Sequence, residues 1–170
     1  ICCPIRDTIS YLKKAKKFNK PILSEKPISD NYKELKNLIN YNNVRVAFNR
    51  RFYKTTEYAK KFVLENEQCL IKVSIPESSE NKNEEFPFRL PLNSYINSVH
   101  VFDLLNYLAG EIKWNFIKKI TNKKKYISIS AMGTSKKNHT ILLDNTFNSP
   151  ENFYINIVSS NKRCELLPIE

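Results

Sequence analysis

The sequence predicts an α/β chain in two parts: a short parallel βαβαβ stretch, then an α+β region built on a mainly antiparallel open sheet. Three observations carry this. Apolar residues recur alternately at strand and helix spacing through the first 48 residues. A helix with an apolar stripe then stops at Gly110, one of only two glycines in the chain. After Gly110 the pattern changes to short strands separated by Asn-, Ser-, Gly- and Pro-containing turns.

In order, Ile1-Cys2-Cys3 reads as the end of a buried strand that Pro4 stops. Asp7 or Thr8 can cap a helix, on which Ile9, Leu12, Ala15 and Phe18 form the apolar face and Asn19-Lys20 the end. A short strand follows over residues 21–24. Ser29 or Asp30 caps a second helix that buries Tyr32, Leu35, Leu38 and Ile39, and Asn42-Asn43 turns the chain into a third strand over 44–48. Strand, helix, strand, helix, strand with right-handed crossovers gives parallel strands, the order of a partial Rossmann-like sheet. Three such strands are too few for a two-faced core, and the chain opens on Ile1 in mid-strand, so further residues are expected to precede it.

A helix after Thr55 or Thr56 carries Tyr58, Ala59, Phe62 and Val63 on one face. In the strand over 68–75, Cys69, Ile71, Val73 and Ile75 alternate with other positions. Residues 76–92 are polar and proline-marked and predict a loop. Asn93 or Ser94 caps the helix ending at Gly110. Its stripe is Val99, Phe102, Leu105 and Leu108, and Ile96, His100, Asp103 and Tyr107 share a neighbouring face. Strands over 113–121, 125–132, 138–145, 153–160 and 164–167 complete the chain, with short antiparallel connections. Residues 1–48 and 49–170 are therefore the expected domains.

Composition narrows the function classes. At 41% hydrophobic and 12% aromatic residues the chain can bury a core. No apolar run reaches the roughly 18–20 residues of a membrane span, and the first residues lack the basic-then-apolar order of a secretory leader. Net charge is +11, mostly from lysine, which raises anionic partners and nucleic acid. No stacking platform or recognition-helix motif accompanies the charge, and a solvated face explains both Lys13, Lys14, Lys16 and Lys17 and the cluster at 118–125. Neither nucleic acid nor a membrane is expected as a partner. Cys2, Cys3, Cys69 and Cys164 show no C-x-x-C spacing and no histidines at zinc-ligand spacing, so they predict reduced, buried thiols, a cytoplasmic setting and no metal site. His139 and Arg45 read as surface residues, and Tyr107 and Trp114 as core or interface.

Lys26 is the residue with the strongest chemical potential. Pro27 holds it out of the helical region, directly after a parallel strand, where open α/β sheets bind ligands. The stretch Pro21-Ile22-Leu23-Ser24-Glu25-Lys26-Pro27, the Ile1-to-Pro4 segment, Asn49-Arg50-Arg51-Phe52 after a strand, and His100-Val101-Phe102-Asp103 continuing to Leu108-Ala109-Gly110 occur together in one order. In these landmarks nearly the whole chain resembles the glucose–fructose oxidoreductase / inositol dehydrogenase (Gfo/Idh/MocA) family, N-terminally truncated.

The resemblance implies an oxidoreductase that moves a hydride between NAD or NADP and a carbon bearing a sugar, sugar-nucleotide or cyclitol hydroxyl. It implies catalytic roles for Lys26 and His100. It places Pro4, Glu25, Lys26 and Arg51 at the cofactor, and Lys26, Asn97, His100 and Asp103 at a sugar-like substrate. It also implies a homo-oligomer formed through the sheet face. Lysine suits proton transfer: its pKa, about 10.4 when free, falls with burial or a neighbouring cation. Ile96 and Asp7 depart from the family, which often has Asp and His there, and Leu90-Pro91-Leu92-Asn93 replaces a glycine-rich approach. G-x-G-x-x-G does not occur among these residues, so this chain by itself is expected to bind NAD(P) weakly or not at all and to be inactive. The alternative is a non-catalytic dimerisation or scaffold domain derived from such an enzyme.

Overall fold

A computed structural model describes residues 1–29, 31–36, 38, 40–77, 95–122, 125–147 and 149–169, with backbone alone at 32, 95–97, 121, 122 and 125–127. It divides into two compact units, Ile1–Asn49 and Arg50–Glu170.

In the first unit, helix α1 (Ile5–Lys16), strand β1 (Ile22–Ser24), helix α2 (Tyr32–Lys36) and strand β2 (Val44–Val46) follow one another. β1 and β2 are parallel, Ile22 opposite Val44 and Ser24 opposite Val46. Ile1–Cys3 forms no strand, but the Ile1 carbonyl accepts from Glu25 N–H at 2.9 Å, and the Ile1 ammonium donates to the Leu23 carbonyl at 2.5 Å. These are the two bonds of a parallel bridge to Ser24, so the backbone order is Ile1, β1, β2.

The caps differ from expectation. Pro4 precedes α1 with no side-chain cap, and Asp7 lies inside the first turn. Proline suits a helix start, where an N–H would lack a partner. Thr8 is buried and donates to the Pro4 carbonyl at 3.3 Å. Asn31 caps α2, its Oδ1 accepting from Lys33 N–H at 3.0 Å. Ser29 braces it by accepting from Asn31 N–H and donating to Glu34. Asp30 and Ile39 lie outside the described residues. α1 ends at Lys16 and Asn19 adopts φ +47, so Phe18 leaves the helical stripe and is 64% exposed.

The second unit begins with a 3-10 turn (Asn49–Phe52 across the boundary), then helix α3 (Lys54–Glu65), strand β3 (Leu70–Ile75) and helix α4 (Tyr95–Ala109). Strands β4 (Ile112–Asn122), β5 (Lys125–Ser135), β6 (Thr140–Thr146), β7 (Tyr154–Val158) and β8 (Arg163–Leu166) complete it. The six strands lie in the order β4-β5-β6-β3-β7-β8. All pairs are antiparallel except β3 with β6, Ile71 opposite Ile141. α4 carries the chain from β3 to the edge strand β4, and the antiparallel β4–β5 and β5–β6 pairs then return β6 parallel to β3.

The core lies between this sheet and the two helices. Ile71, Val73, Ile75, Ile141, Leu143, Ile155 and Ile157 face Val101, Leu104, Leu105 and Leu108 of α4 and Ala59, Phe62 and Val63 of α3. The alternation read in β3 is therefore present. The α4 stripe is rotated from the predicted one: Val101 and Leu104 are buried, while Val99 and Phe102 are half-buried. A helix this apolar satisfies several periodic templates at once. Tyr58 is 66% exposed, because at 100° per residue it falls outside the arc of Ala59, Phe62 and Val63. Gly110 adopts φ +83 after α4, and its N–H donates to the Asn106 carbonyl. It is the C′ glycine expected from the sequence. The cap sites 93 and 94 and residues 78–92 of the expected loop over 76–92 lie outside the described residues.

Gly133 sits opposite Trp114 where the β4–β5 register shifts. A Cβ there would stand 2.8 Å from Ile112 Cγ2 and 2.9 Å from the Lys113 carbonyl oxygen. Gly133→Ala should cost about 1–3 kcal/mol of stability by forcing β4 outward. A urea midpoint equal to that of the parent would show that the edge strand yields freely.

Candidate functional site

Lys26 lies two residues past the end of β1. Ser24 is fully buried, Glu25 is exposed and Lys26 half-buried. Glu25 folds back so that its Oε2 accepts from the Lys26 backbone N–H at 3.2 Å. The Lys26–Pro27 peptide is cis. Pro4 stands three residues past Ile1, and its carbonyl accepts from Asp7 N–H at 2.9 Å. Pro4, Glu25 and Lys26 thus all stand at the C-terminal ends of parallel-running backbone segments, the edge at which such sheets bind ligands.

The remaining described site residues belong to the second unit. His100 is half-buried on α4. Asp103, three residues on, is paired with Arg51: Arg51 Nε donates to Oδ2 at 2.7 Å and Nη2 donates to Oδ1. The Asp103 side chain is only 9% exposed, and this fork-on-carboxylate arrangement is the strong form of the interaction. Hydrogen bonding from Asp103 pushes the Arg51 pKa up, against the opposing effect of burial. The pairing joins two residues that the sequence placed at cofactor and substrate separately. The Asn97 side chain lies outside what the structure describes.

Tyr107 extends the cluster, with the Arg51 guanidinium carbon 5.3 Å and Lys60 Nζ 4.9 Å from its ring centroid. Both are cation–π distances. Lys60 Nζ also donates to the Tyr107 and Leu108 carbonyls. It thereby places a cation where the last turn of α4 leaves carbonyls unbonded. Burial, then Lys137 and Arg51, push the Lys60 pKa down. At the other end of α4 the buried Glu77 carboxylate accepts from Ser98 N–H at 2.6 Å and from the Ser98 hydroxyl. A carboxylate in the first turn complements the helix dipole. Neither Lys60 nor Glu77 was readable as a partner of α4, because each lies tens of residues away in sequence.

His139, expected at the surface, is 1% exposed. The tight turn between β5 and β6 folds it inward, and its Nδ1 accepts from Cys69 N–H at 3.2 Å. Burial, then Lys137 and Lys60, push its pKa down. Cys69 and Cys164 are buried, and burial pushes both thiols up. Cys2 is exposed and Cys3 half-buried instead. Among the described residues no three His, Cys, Asp or Glu side chains gather as a metal site would need.

A histidine whose pKa is lowered by folding is neutral in the native state and binds a proton more readily when unfolded. Its stabilisation is present in full above its unfolded pKa and is lost as pH falls. Stability should therefore decline below about pH 6.5, and His139→Asn should flatten that decline. Urea midpoints measured on either side of that pH test this. An unchanged slope in the variant would assign the titration elsewhere.

No protein-family model and no curated protein matches this chain. Solved structures do. A myo-inositol dehydrogenase from Corynebacterium glutamicum aligns over 96% of this chain and 54% of its own, at 15% identity and TM-score 0.72. A dehydrogenase (MviM) from Clostridium difficile aligns over 98% and 56%, at 20% identity and TM-score 0.73. The WlbA dehydrogenase from Bordetella pertussis, solved with NADH and UDP-GlcNAcA, aligns over 97% and 53%, at 16% identity and TM-score 0.72. The chain thus spans little more than half the length of the structures it matches. It has the fold of the matched part of these Gfo/Idh/MocA-type dehydrogenases, the family whose resemblance is carried by Glu25-Lys26-Pro27 and His100-x-x-Asp103.

Proposed function

We propose that this chain contributes the catalytic lysine and the substrate-facing unit of an NAD(P)-dependent oxidoreductase. Its substrate is a carbon bearing a sugar, sugar-nucleotide or cyclitol hydroxyl, or the corresponding carbonyl. The observation that carries the reading is the half-buried Lys26 two residues past the end of a parallel strand. The dehydrogenase fold of the chain supports it.

In this reading Lys26 Nζ accepts the proton of the substrate hydroxyl as a hydride leaves the same carbon, and returns it in the reverse direction. The nicotinamide, when bound, supplies the hydride acceptor. Pro4, Glu25 and Lys26 line its position along the strand ends. His100, on the second unit, is the candidate for holding a substrate hydroxyl. Asp103 acts by holding Arg51, which stiffens the α4 face that carries His100, and Asn97 contributes a polar contact one turn earlier. A glycine-rich pyrophosphate cradle is not among these 170 residues, so activity requires that segment from elsewhere.

The outer sheet face supports assembly with a second copy. Phe116, Met132 and Leu142 are cross-strand neighbours on β4, β5 and β6, and they are 53%, 44% and 37% exposed. A row of exposed apolar side chains on an open sheet fits a homo-oligomer interface. The same face carries the second reading, a non-catalytic dimerisation or scaffold domain, which the departure at Ile96 favours.

In a form of the protein that binds NAD(P), Lys26→Ala should lower kcat roughly 10²–10⁴-fold with circular dichroism unchanged. Near-parental turnover would remove the lysine from the chemistry and leave the scaffold reading. Met132→Lys should halve the mass measured by light scattering if the face joins two copies. A monomer in both parent and variant would reject that interface.

A further inference from the structure

We propose that a cavity in the second unit, between α4 and strands β4, β5 and β6, binds a small neutral molecule that joins an apolar ring to a carboxamide. The cavity holds about 270 Å³; its lining includes Phe102, Leu105, Trp114, Ala131, Leu143 and Asn145, with Asn106 and Lys119 as its other polar residues. That volume lies just below the roughly 300–1,000 Å³ of sites for drug-sized ligands, so it suits a single ring with one substituent.

Asn145 is what turns an apolar gap into a site. On β6 it follows Ile141 and Leu143 on the core-facing side, and all three are buried. It is 1% exposed, yet neither its Oδ1 nor its Nδ2 has a hydrogen-bond partner. Its backbone is held by register with Ile129 on β5 and Ile75 on β3, so the side chain cannot swing to solvent. Buried polar groups are almost always bonded, and one that is not calls for a cause.

An Asn amide presents an acceptor beside a donor. Its complement is another neutral donor–acceptor pair, which a carboxamide supplies in two parallel bonds. A carboxylate offers acceptors only and would leave the Asn145 Oδ1 without a donor. The indole of Trp114 and the Phe102 ring offer the flat apolar surface that a ring requires.

This cavity does not coincide with the face that bears His100. Phe102 is two residues from His100, about 200° around the helix. The inference therefore stands apart from the dehydrogenase reading and fails or succeeds separately.

Trp114 is the sole tryptophan and reports directly on the cavity. Benzamide, titrated into the 170-residue chain to its solubility limit, should change Trp114 fluorescence saturably. Acetophenone, which keeps the ring and carbonyl but has no N–H donor, should bind roughly tenfold more weakly, the effect of one lost hydrogen bond to a buried partner. Asn145→Leu should weaken benzamide by at least that factor and abolish its preference over acetophenone. Ala131→Phe, which fills the cavity, should remove binding of both, and it keeps the test open if Asn145→Leu does not fold. Absence of a saturable change with the parent chain overturns the proposal. Equal affinity of parent and Asn145→Leu for benzamide, or a Trp114 signal that follows protein concentration and not benzamide, overturns it as well.

Discussion

The second unit rests on the burial of β3. This strand lies between a parallel neighbour, β6, and an antiparallel one, β7, and Ile71, Val73 and Ile75 on it are at most 3% exposed. Burying one such side chain is worth about 1.5–3 kcal/mol. Partners are found on both neighbours, in Ile141, Leu143, Ile155 and Ile157, and on both helices. Because side chains alternate along a strand, slipping β3 by one residue would turn this set to solvent. The register of β6 and β7, and through them of the whole sheet, follows from that penalty.

Once β3 is placed, α4 has little freedom. Val101, Leu104, Leu105 and Leu108 must face the sheet, which leaves two other faces for chemistry. One carries His100, Asp103 and Tyr107, with Arg51 bonded to Asp103 and Lys60 set over Tyr107. The other meets β4 and β5 incompletely and leaves the cavity beside Asn145. The helix is tied at both ends by side chains from elsewhere, Glu77 at its first turn and Lys60 at its last. These two ties help to fix the rotation of the helix, and with it the direction in which His100 leaves it.

The first unit is organised by backbone more than by side chains. Its strands are three residues long, and its buried set is small, with Ile9, Leu12 and Ser24 prominent. What it does supply is an aligned edge. The bridge from Ile1 to Ser24 and the β1–β2 pair bring Pro4 and Lys26 to the same edge, three residues past Ile1 and two past Ser24.

The sequence by itself determined the elements and the landmarks. Strand alternation placed Cys69, Ile71, Val73 and Ile75 inside, and a glycine suited to positive φ ended α4 at Gly110. The Glu25-Lys26-Pro27 and His100-x-x-Asp103 motifs pointed to the fold found among solved dehydrogenases. These are local signals, set by two or four residues of spacing and by backbone sterics. Tertiary structure alone decided the rest. The parallel β3–β6 pair, the Arg51–Asp103 fork and the burial of His139 join residues 52 to 70 positions apart or depend on such a joining. The rotation of α4 was open because its apolar residues encircle most of the helix, and only the sheet chose which of them to bury. Asn145 sits in a strand pattern that reads as ordinary, and its meaning depends on a cavity that no spacing records.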